Sequence, residues 1–141
     1  MNIVRWSMLL LILIACKWAA SAQDVALVAN KGVQVSGIRD VDLRAIFMGS
    51  KTRFSDGSHA VPVMLKGGPV HEVFLRNHLG ETPGDFQAQW RKAVFTGQGA
   101  MPKAFDNEAT LIEYVAATPG AIGYVSRISP QNMVKRLATL K

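Results

Sequence analysis

Cys16 is the only cysteine in the 141-residue sequence, and it closes an uncharged apolar run, Trp6 to Cys16, near the start. Everything after that run therefore has no disulfide, no cysteine-based metal site and no thiol nucleophile. Such a chain folds only by enclosing apolar side chains in a core, and apolar residues make up 49% of this one.

The run itself reads as an export signal. Arg5 gives a positive start, Met8 to Ala15 is almost purely aliphatic, and Ala20-Ser21-Ala22 is a small-x-small cleavage pattern. The 11 residues from Trp6 to Cys16 are too few to span a bilayer, which takes about 20. A signal peptide is expected over residues 1–22, with a periplasmic mature domain over 23–141. A second reading of the cut stays open, because Leu13-Ile14-Ala15-Cys16 also has the form of a lipobox that would leave Cys16 lipidated. Residues 23–141 hold 14 basic and 10 acidic residues, a net charge of +4, with the basic ones scattered. That balance describes a solvated surface, and together with export it argues against a nucleic-acid partner. Their length suits one domain.

Short valine-rich runs alternate with glycine-stopped helical stripes along those residues. Asp24 to Asn30, Ala60 to Leu65 and Ala121 to Val125 read as strands. Pro62 suggests an edge strand or an irregular start. Ala104 to Asp106 and Met133 to Leu140 read as two further strands. Asp40 reads as the cap of a helix with Leu43, Ile46 and Phe47 inward, stopped at Gly49. Gly67-Gly68-Pro69 opens a helix closed by Gly80, and Thr82-Pro83-Gly84-Asp85 opens another with Phe86, Trp90 and Ala93/Val94 on one face. Asn107 to Thr118 is a fourth, with Leu111, Ile112, Val115 and Ala116 inward. Strands separated by helices predict an α/β fold around a largely buried sheet.

Enzyme constellations are missing from this pattern. His71-Glu72 begins like a zincin motif, but Leu75 stands where the second histidine belongs. His71 and His78 lie two turns apart, about 10.5 Å by helical rise, too far to chelate one ion. No Gly-x-Ser-x-Gly elbow occurs and no motif pairs two carboxylates, so neither catalytic residues, metal nor cofactor are assigned. Both histidines are expected on a solvated helix surface. The remaining feature is Lys66-Gly67-Gly68-Pro69-Val70-His71, running from a strand end into a helix. A helix start leaves amide N–H groups unpaired at the positive end of the dipole, glycines let an anion approach them, and Lys66 and His71 would add positive charge.

Three segments carry a family resemblance. Leu43-Arg44-Ala45-Ile46-Phe47-Met48-Gly49, followed by Lys51-Thr52-Arg53-Phe54-Ser55-Asp56-Gly57, resembles the "IFxGKxTxWxDG" stretch of phosphate ABC-transporter substrate-binding proteins. Pro119-Gly120-Ala121-Ile122-Gly123-Tyr124-Val125 is similar to their "xPGAIGYV" strand, and Phe95-Thr96-Gly97-Gln98-Gly99 to the "FTGxG" of short members. The resemblance implies a single lobe of the type II periplasmic-binding-protein fold, a mixed sheet flanked by helices. It implies two departures as well. The family closes two lobes on its oxyanion, and this chain is long enough for one. Where the family's "RxxxSGT" loop has arginine, serine and threonine, this chain has Met64, Gly68 and Val70. Against the "GSPVRExF" of short members, Gly68 replaces the serine and His71 the arginine. A bidentate guanidinium–phosphate pair is thereby lost.

The expectation is a non-enzymatic solute-binding-type protein with weak phosphate or oxyanion binding at a helix N-terminus, through Lys66, Gly67, Gly68, Val70 and His71. The alternative is a periplasmic interaction module, one lobe that no longer binds phosphate and docks an ABC transporter, another periplasmic or membrane protein, or a second copy of itself.

Overall fold

The computed structural model describes residues 24–140, so the export signal, Cys16 and both readings of the cut lie outside the described residues. The apolar runs form β1 (Ala26–Asn30), β3 (Val61–Leu65), β5 (Ala121–Val125) and β6 (Val134–Leu140), joined by two short strands, β2 (Gly37–Arg39) and β4 (Lys103–Phe105). They make one sheet in the order β2-β6-β1-β5-β3-β4. β1 pairs antiparallel with both neighbours, Leu27 lying opposite Tyr124 of β5 and Leu137 of β6. The pairs β2–β6, β3–β5 and β3–β4 are parallel. Five strands thus run one way and β1 runs against them, which puts their carboxyl ends and the start of β1 along a single edge.

The pleat divides the two faces. A Cβ at Gly123 would meet Leu111 of α4 (Glu108–Ala117) at 3.0 Å, so that side of β5 lies against α4. The next residue, Tyr124, points the other way and stacks on Phe74 at 3.8 Å between ring centroids. That second face is covered by α1 (Asp40–Phe47), α2 (Pro69–Phe74) and α3 (Pro83–Phe95). α2 continues without a break into a wider π-helical turn, Leu75–Leu79, and ends at Gly80 in the left-handed conformation (φ 65°). Leu43, Phe47, Phe74, Leu75, Leu111, Val115, Ile122 and Tyr124 are fully enclosed between these layers. Burying each such aliphatic or aromatic side chain is worth about 1.5–3 kcal/mol relative to exposure.

Polar ties hold the layers in register. Asn30 Nδ2 donates to the Val115 and Ala116 carbonyls at 2.9 and 3.0 Å, fastening the end of β1 to the last turn of α4. Trp90 Nε1 donates to the Phe47 carbonyl at 2.9 Å, joining α3 to α1. Gly120 (φ 77°) lets β5 begin against β3: a Cβ there would lie 2.3 Å from the His59 carbonyl oxygen, while the Gly120 carbonyl accepts from the Val61 N–H at 2.9 Å.

Two expectations need amendment, and one strand was not read from the sequence. β2 carries no signal of its own, because three residues on a sheet edge show no periodicity. Asp40 is the first residue of α1, not its cap, and Arg39 holds the cap position. β3 is an interior strand, so Pro62 marks an irregular start and not an edge: β3 pairs with β5 through Val61 and Pro62 and with β4 from Val63 onward.

Candidate functional site

The edge formed by the carboxyl ends of five strands is where open α/β sheets place ligands. Three helices start there, and their first turns differ. Asn107 caps α4 by accepting from the Thr110 N–H at 2.9 Å. α1 brings Asp40 and Asp42 into its own first turn. α2 starts at Gly68 (φ 94°) with no side-chain cap. Pro69 has no N–H, and among the described residues the N–H groups of Gly67, Gly68, Val70 and His71 meet no protein acceptor. A Cβ at Gly67 or Gly68 would have no heavy atom within 4 Å, so the approach to these amides is open.

The five expected ligand residues do not share one cavity. Lys66, Gly67, Gly68 and His71 line a depression of about 130 Å³ together with the Glu72 carboxylate, Gln87 and the apolar Met64, Phe86 and Met101. Val70 lies on the other side of the helix start, in a separate depression of about 240 Å³ with Pro69, Val73, Ser126 and Arg127. Lys66 is not a free cation: its ammonium pairs with Asp106 at 3.0 Å, both side chains being largely exposed. Such pairs contribute at most about 1 kcal/mol, but this one turns the charge toward a carboxylate. Arg127, which no sequence motif singles out, makes no ion pair among the described residues and lines the second depression.

The histidine expectations are overturned. His71 and His78 are buried, not solvated, with 5% and 8% of their surface exposed. His71 lies under the helix start against the sheet, its Nδ1 2.5 Å from the Tyr124 hydroxyl. Burial lowers its pKa below the ordinary 6.5, opposed by the adjacent Glu72 carboxylate. At neutral pH the ring therefore brings no positive charge to the turn. His78 sits in the π-helical turn with Nδ1 2.9 Å from Asp40 and Nε2 3.2 Å from Asp24, and so fastens α2 to the starts of α1 and β1. Helical projection misplaced both residues because it shows which residues share a face but not that the sheet lies beneath it.

Tyr124 was also missed. It is fully buried, its hydroxyl accepts from the Leu65 N–H at 3.0 Å, and desolvation pushes its pKa well above the usual phenol range. The available signal was a tyrosine inside an otherwise apolar strand, whose hydroxyl must find a partner.

A phosphate ABC transporter substrate-binding protein of Clostridium perfringens, described as putative and solved with bound phosphate, matches with a TM-score of 0.61 at 17% identity, over 81% of this chain and 44% of that one. Over that stretch the two chains share a fold. PstS from Borrelia burgdorferi matches with a TM-score of 0.60 at 15% identity, over 82% and 47% of the two chains. An ABC-type phosphate transport receptor from Vibrio cholerae gives 0.58 at 14%, over 81% and 45%. This chain thus spans less than half the length of these binding proteins, and the α/β fold of mixed sheet and flanking helices is what it shares with them. No protein-family model and no curated protein matches the sequence. Among the described residues no helix is long and apolar enough to cross a membrane.

Proposed function

We propose that this chain is an exported, non-enzymatic solute-binding-type protein that takes a small oxyanion, phosphate or a close relative, weakly at the turn from β3 into α2. The reading rests on four amide N–H groups without protein acceptors, reached across two glycines at the ligand edge of the sheet. A fold neighbour was solved with phosphate bound, which favours this anion class, and relatives of that kind serve ABC transporters. Affinity is expected to be low. The turn holds no arginine, and Lys66 is engaged by Asp106. A dissociation constant near 1 mM, about −4 kcal/mol, is the scale for such a site.

Gly67→Asp tests the reading, because a side chain fits there without contact while its carboxylate repels an anion. Calorimetric titration with phosphate and with sulfate should give saturable heat for the wild type and at least about tenfold weaker binding for the variant. Absence of saturable heat from either anion sinks solute capture.

A specific observation favours the second reading, an interaction module. Phe95 is 91% exposed and Val94 52%, at the end of α3, with Met101 nearby at 39%. Adjoining apolar side chains left in water mark surfaces that other molecules cover. A chain that ignores anions yet is retained by a transporter component through this corner would favour docking over capture.

A further inference from the structure

His71 offers more than a buried ring. The Tyr124 hydroxyl accepts from the Leu65 N–H, and the only other polar atom paired with it among the described residues is His71 Nδ1. A hydroxyl has one proton to give. Were Nδ1 to carry a proton, the oxygen would receive two N–H groups and its own proton would be enclosed with no acceptor. The Tyr124 hydroxyl and Nδ1 are both satisfied in one arrangement alone: Leu65 N–H to the oxygen, and the Tyr124 O–H to Nδ1. The neutral ring then carries its proton on Nε2. That nitrogen has no protein partner, and no enclosed side-chain nitrogen or oxygen among the described residues is left unpaired. Nε2 therefore reaches open space, and the depression of about 130 Å³ is the space His71 lines. At about 30 Å³ per water the depression has room for roughly four waters, a scale suited to one small oxyanion.

We propose that Tyr124 is a positioning residue for this site: it holds His71 as the Nε2–H tautomer, so that a fixed neutral donor meets an oxygen of the anion beside the Gly67 and Gly68 amides. The inference rests on the oxyanion reading above. It deepens that reading by making recognition one of neutral donors set by a tyrosine of β5, distant in sequence, in place of a charged side chain. Phe86 flanks the ring at 6.3 Å between centroids in an edge-on arrangement, which limits its rotation.

Two measurements on the whole protein separate the parts of the claim. Long-range ¹⁵N–¹H spectra of the histidine rings, without ligand and near neutral pH, should show His71 with Nδ1 bare and Nε2 protonated, and Tyr124→Phe should give a mixture of tautomers. An Nδ1–H ring or an imidazolium in the wild type overturns the assignment whatever the protein binds. Titration with sulfate or phosphate should then shift the His71 Nε2–H signal. Tyr124→Phe should weaken binding about fivefold to tenfold, and His71→Gln, which keeps an N–H donor, should retain more affinity than His71→Phe. Wild-type affinity in a folded Tyr124→Phe overturns the positioning role. If the wild type binds neither anion, the capture reading fails and takes Tyr124's part in binding with it, while the ring spectra still decide who sets the tautomer.

Discussion

His71 shows how one residue changes meaning when its surroundings become known. As a letter after Gly-Gly-Pro-Val it reads as a cation at a helix start. Packed against Tyr124, with burial lowering its pKa below 6.5, it is a neutral donor. The consequence for stability has a definite sign. The unfolded chain takes up a proton at this ring near pH 6.5 that the native state resists, so stability is complete above that value and is lost as pH falls from there through the lower native pKa. The urea midpoint of the wild type is expected to fall between about pH 7.5 and pH 5.5 by more than that of His71→Gln, which cannot titrate. Equal losses in the two proteins would show that the ring stays as easily protonated in the native state as in the unfolded one. Lys66 changed meaning for a different reason: Asp106, distant in sequence, stands within 3.0 Å of it.

Among the elements, the helices were the more legible. Asn107 and Thr82 cap α4 and α3 as their side-chain chemistry predicts, accepting from N–H groups three residues on. The inward stripe of α1, Leu43, Ile46 and Phe47, is buried as its spacing requires. On α3 the stripe holds for Phe86 and Trp90 but not for Val94, which is exposed, because the helix runs past the core it covers. Trp90 is the fastening of α3: it is 3% exposed, donates to the Phe47 carbonyl and fills the space beside Gly49, where a Cβ would lie 2.7 Å from the indole. Trp90→Phe removes the donor and part of the ring, and is expected to cost about 2 kcal/mol, read from the urea midpoint. A loss under about 0.5 kcal/mol would show that α3 docks by other contacts. The strands were legible as runs, yet β2 was not, and Pro62 was misread, since pairing is a property of two segments and not of one.

For the molecule as a whole, the placement of the site follows from topology. With β1 reversed and the other five strands aligned, the α2 start, Lys66, Asp106, Arg127 and Asp24 gather along one edge. The exposed corner of α3 is a separate feature that stability does not require. Phe95→Ser is therefore expected to leave the urea midpoint within about 0.5 kcal/mol of the wild type, while lowering the fluorescence of an apolar dye bound to the native protein. A large stability loss would mean that Phe95 is covered in solution. The sequence by itself determined the α/β class, the main helix and strand positions and the uncapped glycine turn before α2, because periodicity, capping and glycine freedom act over a few residues. Only the tertiary structure decided the sheet order, the burial of both histidines, the capture of Lys66 by Asp106 and the Tyr124–His71 pair. Each of those depends on groups far apart in the chain, whose meeting and desolvation are set by packing the helices against the sheet.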